Sequence, residues 1–305
     1  SEICNYTDYD FACCYMACFC VTDKKRFIER IKQMNIGIFD SGIGGVTLLH
    51  QAMVMMPHEN FIFYADTAHV PYGTKTREQV ISYADDAIHF LQSCGCKAVV
   101  IACNTATAAA AEQMRKKYTF PIIGIEPAVK PAVAESEGKR VMVVATPLAV
   151  QEEKLKSLVA RVDNAHLVDL LALPRLVEFA ERGEFVSDAV SAYLEEQFFG
   201  YSLDAYGELV LGCTHFNYFK DTFRKLMPEQ VHIIDGSIGT IRQLARVLES
   251  KGLLAAPLSD ESSKWKSGHG AANVKYYQSG VEVSGTDNLK DWDKLHERLE
   301  KMRFV

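Results

Sequence analysis

The stretch Val99-Val100-Ile101-Ala102-Cys103-Asn104-Thr105-Ala106-Thr107 decides the fold predicted for this sequence. Its first four residues are apolar, which predicts a strand buried in a parallel sheet. The alanine-rich run that follows predicts a helix to Lys117, and the basic residues at 115–117 suit the negative carboxyl end of its dipole. Cys103 is therefore expected at the carboxyl end of a strand and beside a helix N-terminus, where open α/β sheets bind ligands.

The arrangement occurs a second time, at Leu209-Val210-Leu211-Gly212-Cys213-Thr214-His215. A glycine-rich turn that begins at Asp40 precedes the first copy, and a strand end at Thr146 precedes the second. Asp40 lies 63 residues before Cys103, and Thr146 lies 67 residues before Cys213. The agreement of strand order and spacing predicts an ancient duplication.

The predicted fold class is α/β, with two pseudo-symmetric α/β domains whose mainly parallel sheets face a central cleft. Residues 1–34 are predicted to be an N-terminal extension outside the fold. Residues 35–128 together with 237–305 are predicted to form the first domain, and residues 129–236 the second. The strands predicted besides the two cysteine strands are 36–39, 61–64, 121–125, 140–144, 166–171 and 273–278.

Composition excludes several classes of protein. The formal net charge of −6 and the isoelectric point near 5.9 argue against a nucleic-acid-binding protein. No apolar run approaches the roughly 20 residues of a membrane helix, and the charge order near residues 11–21 is the reverse of a signal peptide. We therefore expect a cytoplasmic protein with no membrane or nucleic-acid partner, which forms a homodimer around its cleft.

Nine cysteines are present, and five of them crowd the first twenty residues without a CxxC pair or a nearby histidine. This spacing gives little support to a structural zinc site, and no metal site is predicted. A single cysteine such as Cys103 or Cys213 is more often a small buried hydrophobic residue than a catalyst. Two cysteines at equivalent strand ends of duplicated lobes would lie on opposite sides of one cleft. This placement favours a catalytic role for both.

Two opposed thiols are suited to proton transfer, in which one thiolate removes a proton from a chiral carbon and the other thiol delivers one to the opposite face. The α-hydrogen of an amino acid is a very weak acid, so the site must stabilise carbanion-like charge with preorganised donors. Asp40 and His215 are the candidate assistants, one on each side. Asp40 or Ser41 has an equally good interpretation as the cap of the helix that follows the glycine-rich turn.

Four motifs carry a family resemblance: DSGIGG at residues 40–45, YAD at 64–66 with PYG at 71–73, CNTA at 103–106 and GCTH at 212–215. Together they closely resemble the signature of the cofactor-independent aspartate/glutamate racemase family, and they match its glutamate branch. The resemblance runs from about residue 36 to residue 285. It implies two facing α/β domains, no pyridoxal phosphate or metal cofactor, and interconversion of L- and D-glutamate that supplies D-glutamate for peptidoglycan.

Carried over by resemblance, Cys103 is the base for D-glutamate and Cys213 is the base for L-glutamate. Glu178, shortly after Pro174, matches a carboxylate that the family has near the second thiol, and His215 favours glutamate over aspartate. The positions that match substrate-contacting residues are Asp40, Ser41, Pro71, Tyr72, Gly73, Asn104, Thr105, Thr146, Thr214 and His215.

The chain departs from the family pattern at two positions. Asn217 stands where a proline often follows the aromatic residue of the cysteine-threonine-histidine motif, and we expect an altered helix start there. Ala149 stands where many members have a second threonine that contacts the substrate. One hydroxyl ligand is therefore missing or is replaced by Thr146.

Three other functions remain open from the sequence. An aspartate or other amino-acid racemase would use the same thiol pair. A cysteine hydrolase would use Cys213 as nucleophile and His215 as base, and would give no role to Cys103. A non-catalytic amino-acid-binding protein would need neither thiol. The chain has many lysines that could form a Schiff base with pyridoxal phosphate, so only the family resemblance argues against this cofactor.

Overall fold

A computed structural model of the chain describes residue 31, residues 34–259, residues 273–303 and residue 305. The N-terminal extension predicted at residues 1–34 lies almost entirely outside these described residues. The strands are β1 (Asn35–Asp40), β2 (Asn60–Ala65), β3 (Cys96–Ile101), β4 (Ile122–Gly124), β5 (Arg140–Ala145), β6 (Val168–Ala172), β7 (Tyr206–Leu211), β8 (His232–Asp235), β9 (Val274–Gln278) and β10 (Val281–Glu282).

These strands form two sheets. The first has six strands in the order β10-β9-β2-β1-β3-β4, and all its pairings are parallel except that of β9 with β10. The second has four parallel strands in the order β6-β5-β7-β8. The predicted α/β class with mainly parallel sheets is confirmed.

The two sheets share one topology. The order β2-β1-β3-β4 becomes β6-β5-β7-β8 when each strand number is raised by four. Even an irregularity recurs: the pairing of β1 with β3 shifts register at Asn35/Ile36, and that of β5 with β7 shifts at Arg140/Val141. Shared strand order and a shared register shift support the interpretation of a duplication. The domain boundaries at 128/129 and 236/237 stay a prediction.

Helices cover the faces of both sheets, as parallel strands require. The α-helices are α1 (Val46–Met55), α2 (Arg77–Ser93), α3 (Asn104–Lys117), α4 (Val129–Glu135), α5 (Pro147–Gln151), α6 (Glu153–Val162), α7 (Pro174–Glu181), α8 (Asp188–Phe198), α9 (Lys220–Leu226), α10 (Ser237–Ser250) and α11 (Thr286–Met302). Helix α2 begins with a capping box, in which Thr76 and Gln79 satisfy each other's backbone N–H groups. Helix α3 ends on three basic residues, as predicted from its dipole.

The strand predicted at residues 166–171 begins late, at Val168. The Asp163 carboxylate accepts the backbone N–H groups of Leu167 and Val168, and His166 has a positive φ of 56°. This side-chain-closed turn occupies the donors that a longer strand would need. The turn closed by Asp163 therefore delays the start of β6, although the apolar pattern predicts a strand from residue 166.

A buried ion pair ties the first sheet to the segment after α10. Lys97 Nζ lies 2.6 Å from Glu59 Oε2, and both side chains are almost fully excluded from solvent. The remaining donors and acceptors are also used, because Lys97 donates to the Leu253 carbonyl and Glu59 accepts from Ala255 N. A pair satisfied in this way is tolerated in a core, whereas either charge alone is strongly destabilising.

Within the residues that the structure describes, we find no helix with the length and apolar composition of a membrane span.

Candidate active site

The glycine-rich turn after β1 brings the Asp40 carboxylate between the two sheets. Asp40 Oδ1 accepts from Gly42 N at 3.0 Å, and Oδ2 accepts from the Thr214 hydroxyl at 3.1 Å. Burial raises the pKa of Asp40 to about 6, despite the opposing charge of His215. Neither Asp40 nor Ser41 caps a helix, because the caps of the following 3₁₀ turn and of α1 make no side-chain bond.

Cys103 follows β3 and caps α3 with its sulfur. Its Sγ accepts from Ala106 N at 3.4 Å and donates to Ser41 Oγ at 3.7 Å. Burial, followed by the nearby Asp40 carboxylate, raises the pKa of the Cys103 thiol to about 12. Cys103 therefore holds its proton at neutral pH.

Cys213 follows β7, the strand equivalent to β3, and has a different neighbour. Its Sγ lies 3.7 Å from His215 Nδ1, and His215 Nε2 lies 2.6 Å from Glu181 Oε1. Burial opposes a charge on His215, but the bonds to Cys213 and Glu181 outweigh it and raise the pKa of His215 well above its ordinary value. An imidazolium thus stands beside Cys213, where it stabilises negative charge on sulfur.

Hydrogen bonds connect the two thiol environments across the sheets. From Cys103 the chain of bonds runs through Ser41 to Asp40 at 3.4 Å, and from Asp40 to Thr214, the residue after Cys213. The two cysteines are thus linked through three side chains, one of which, Asp40, accepts from residues on both sides.

Close backbone approach allows this arrangement at Gly44. A Cβ at Gly44 would lie 2.4 Å from His215 Nδ1 and 2.5 Å from Thr214 Oγ1. Real Cβ contacts are not this short, so glycine is required where the turn meets the histidine segment. Glu181 reinforces the junction, since its Oε1 also accepts from Ile43 N at 2.8 Å.

Comparison with known proteins agrees with this geometry. The family model for Asp/Glu/hydantoin racemase matches residues 46–244. This chain belongs to that racemase family. A glutamate racemase from Lachnospira eligens is 51% identical over 274 residues, which cover 89% of this chain and 100% of the relative. The second glutamate racemase of Bacillus subtilis is 46% identical, over 88% of this chain and 97% of its own.

Solved structures give the same family and the same fold. The crystal structure of a glutamate racemase from Francisella tularensis in complex with D-glutamate matches with a TM-score of 0.69 and 25% identity. The match covers 87% of this chain and 94% of that one. The predicted family and isomerase class are therefore confirmed for this racemase, as is its two-domain α/β fold.

The carboxylate predicted at Glu178 was assigned to the wrong position. Glu178 is exposed on α7, and the side chain that contacts His215 is Glu181, one helical turn later. The periodicity of α7 explains the difference, because Val177 and Ala180 are buried and Glu181 follows Val177 by four residues on the same face. That spacing was a usable signal in the sequence.

Asn104 has the features of a ligand-binding residue in this racemase. Its side chain is buried, and neither Oδ1 nor Nδ2 has a hydrogen-bond partner among the described residues. Orphaned amide atoms in a protein interior are costly unless something pairs with them. Asn104, Ala149 and Gly212 line a cavity of about 260 Å³, and neither Cys103 nor Cys213 belongs to its lining.

Two threonines contact each other between the starts of α3 and α5. The hydroxyls of Thr105 and Thr146 lie 2.9 Å apart, and Thr146 also accepts from Ala149 N as the cap of α5. Thr146 directly follows β5 as Ser41 directly follows β1, so the two sheets contribute equivalent positions. Ala149 brings only a methyl group to this cavity.

The tyrosine loop is held by the aspartate of the YAD motif, to which the sequence alone assigns no role. Tyr72 is buried and donates its hydroxyl to Asp66 Oδ2 at 2.7 Å, and the bond between Val70 and Pro71 is cis. Gly73 approaches closely, since a Cβ there would lie 2.8 Å from Thr146 Cβ. The structure thus brings this loop to the threonine pair.

Within the described ranges, no group of three or more histidine, cysteine, aspartate or glutamate side chains is arranged to hold a metal ion.

Proposed function

We propose that this racemase interconverts L- and D-glutamate by a cofactor-independent transfer of the α-proton between Cys103 and Cys213. The observation that carries the proposal is the pair of buried thiols at equivalent strand ends, joined through Ser41, Asp40 and Thr214. Relatives named glutamate racemase over nearly the whole chain support glutamate as the substrate.

The proton balance is simple. Starting from L-glutamate, the Cys213 thiolate takes the α-proton and becomes a thiol, while the Cys103 thiol gives its proton to the opposite face and becomes a thiolate. The product is D-glutamate, and no proton is gained or lost in the transfer. The reverse reaction begins with Cys103 as the base.

The other residues have roles that follow from their contacts. The orphaned amide of Asn104 and the hydroxyls of Thr105, Thr146 and Thr214 are available to bind the substrate's carboxylate and ammonium groups. The His215 imidazolium compensates for negative charge during proton removal, as a preorganised electrostatic group does. Ser41, Pro71, Tyr72 and Gly73 complete the proposed substrate-binding set.

The experiment follows loss of the α-proton signal by NMR for L- and D-glutamate in D₂O, with aspartate as the rival substrate. Wild-type protein is expected to exchange and racemise both glutamate enantiomers. Cys103→Ser and Cys213→Ser are each expected to abolish racemisation in both directions. Near-full two-way turnover by either variant would overturn the two-base mechanism, and faster turnover of aspartate would overturn the substrate assignment.

A cysteine hydrolase is the second candidate, because Cys213, His215 and Glu181 are arranged as nucleophile, base and orienting carboxylate. It predicts a trapped acyl-enzyme at Cys213 and full activity in Cys103→Ser. The same variants therefore discriminate between the two reactions.

A supply of D-glutamate for peptidoglycan, a cytoplasmic location and a homodimeric state belong to this proposal as its physiological setting. Sedimentation analysis of the purified chain tests the dimer directly.

A further inference from the structure

A second cavity, lined by residues of α1, α10 and α11, contains unpaired polar atoms. Gln51 Nε2 and Asn217 Oδ1 are buried without a hydrogen-bond partner in the described part of the chain. Both residues line one cavity of about 260 Å³, as does Ser237, whose hydroxyl faces the Asp235 carboxylate. Orphaned polar groups in a protein interior are costly, so two around one space indicate a site built for something that pairs with them.

The charges around this cavity specify the chemistry of the occupant. Lys220 Nζ lies 3.0 Å from Asp235 Oδ2, and both residues line the cavity together with Arg303. Burial opposes ionisation of Asp235, but Lys220 and the Ser237 contacts outweigh it and lower the pKa of this carboxyl. A fixed cation and a fixed anion side by side match a molecule that carries both a carboxylate and an ammonium group.

Part of the lining is apolar, because Ile238, Leu299 and Met302 contribute to it. The cavity therefore offers both charged or hydrogen-bonding groups and hydrocarbon to a ligand. Its volume is that of a small molecule, since ligand sites of drug-sized compounds begin at about 300 Å³.

The cavity also contacts the segment that carries the proposed catalytic residues. Thr47 Oγ1 donates to the Thr214 carbonyl at 3.1 Å, and Asn217 Nδ2 donates to the same oxygen at 3.4 Å. Both Thr47 and Asn217 line the cavity, and the Thr214 hydroxyl in turn bonds Asp40. An occupant that holds Thr47 and Asn217 acts on the position of Thr214.

We propose that this cavity binds a free amino acid other than the substrate, as a zwitterion, and that its occupancy changes the affinity of the cysteine site for glutamate. The carboxylate pairs with Lys220, the ammonium group pairs with Asp235, and the side chain lies against Leu299. The effect on glutamate rests on the proposed function, whereas the binding site stands without it.

The test uses the complete chain and calorimetric titration with each proteinogenic amino acid other than glutamate. Gln51→Met removes an orphaned atom, so this variant is expected to keep basal activity and to melt at or above the wild-type temperature. Its affinity for the amino acid that binds wild-type protein is expected to fall at least about tenfold, one lost hydrogen bond of roughly 1.4 kcal/mol. Gln243→Met, exposed on α10, is the matched control and is expected to bind normally.

Absence of saturable binding by every amino acid, or equal weakening in the variant and its control, would overturn the site and leave a cavity filled by water only. The coupling is tested by repeating the titration in saturating glutamate, because two sites that affect each other do so reciprocally. An unchanged affinity would overturn the coupling. Calorimetry requires no turnover, so failure here is distinct from failure of the proposed racemisation.

Discussion

Replacing Glu181 with glutamine removes one negative charge from the histidine segment and keeps nearly the same shape. Glu181 Oε1 accepts from both Ile43 N and His215 Nε2, and the glutamine oxygen is able to accept the same two bonds. The variant therefore isolates the electrostatic support that Glu181 gives to the imidazolium. We expect the pKa of His215 to fall.

The size of the effect follows from the distance and the exposure. Unit charges about 4 Å apart attract by roughly 4 kcal/mol at the effective dielectric constant of a protein site. The Glu181 side chain is 19% exposed, so solvent screens part of this attraction. The two hydrogen bonds are kept, so what is lost is the screened attraction, about 1.5–3 kcal/mol of it. This corresponds to a fall of roughly one to two in the pKa of His215 and to a 10- to 100-fold loss of kcat/KM.

The assay is circular dichroism of glutamate racemisation in both directions as a function of pH. Because enantiomers have equal free energies, kcat/KM must fall equally for L- and D-glutamate, and the pH limb that reports His215 is expected to move to lower pH. Glu178→Gln is the matched control on the exposed face of α7 and is expected to match wild type. An unshifted pH limb with full activity in Glu181→Gln, or an equal loss in Glu178→Gln, would refute the assignment.

Three further substitutions test other parts of the structure. Gly44→Ala places a methyl group 2.4 Å from the ring of the active-site histidine and is expected to lower kcat/KM about 100-fold. Gly239→Ala, with open space around its Cβ position, is expected to leave kcat/KM unchanged. Lys97→Met strands a buried carboxylate and is expected to reduce the free energy of unfolding in urea by about 3–5 kcal/mol, most of which Glu59→Gln should restore in the double variant. Burial, then the charge of a nearby arginine, lowers the pKa of His50 from 6.5 to about 3, so the stability it contributes is present above pH 6.5 and is lost as the pH falls from there towards 3. Between pH 8 and pH 5 we expect wild type to lose about 2 kcal/mol more than His50→Gln, by urea unfolding at both values; equal losses would contradict this account.

The sequence allowed the sheets and the thiol pair to be predicted because their signals are local. Apolar runs that end at Cys103 and Cys213 specify buried parallel strands. In such sheets, ligands bind at the carboxyl ends of the strands. The repeated spacing then related the two halves. The order of the strands within each sheet follows the same pattern, since each half repeats one set of elements.

Contacts between distant segments could not be predicted in the same way. Asp66 receives the Tyr72 hydroxyl, and Ser279, more than 200 positions later, donates to the same carboxylate at 3.1 Å. No local pattern indicates that pairing. The orphaned polar atom of Gln51 is likewise a property of packing, because its amide nitrogen lacks a partner only in the folded arrangement of α1, α10 and the segment after Cys213.

The two thiols occupy equivalent positions in the fold, yet their neighbours carry different charges. Cys103 lies near the Asp40 carboxylate, which with burial raises its pKa, whereas Cys213 lies beside an imidazolium. Duplication alone would give the two thiols the same neighbours. Under the proposed assignment the imidazolium is on the L-glutamate side of the site and the carboxylate is on the D-glutamate side. In the proposed transfer Cys103 becomes a thiolate beside Asp40, and burial, which raises the pKa of that carboxyl to about 6, lets Asp40 bind a proton from solvent more readily than an ordinary aspartate and so limits the like-charge repulsion.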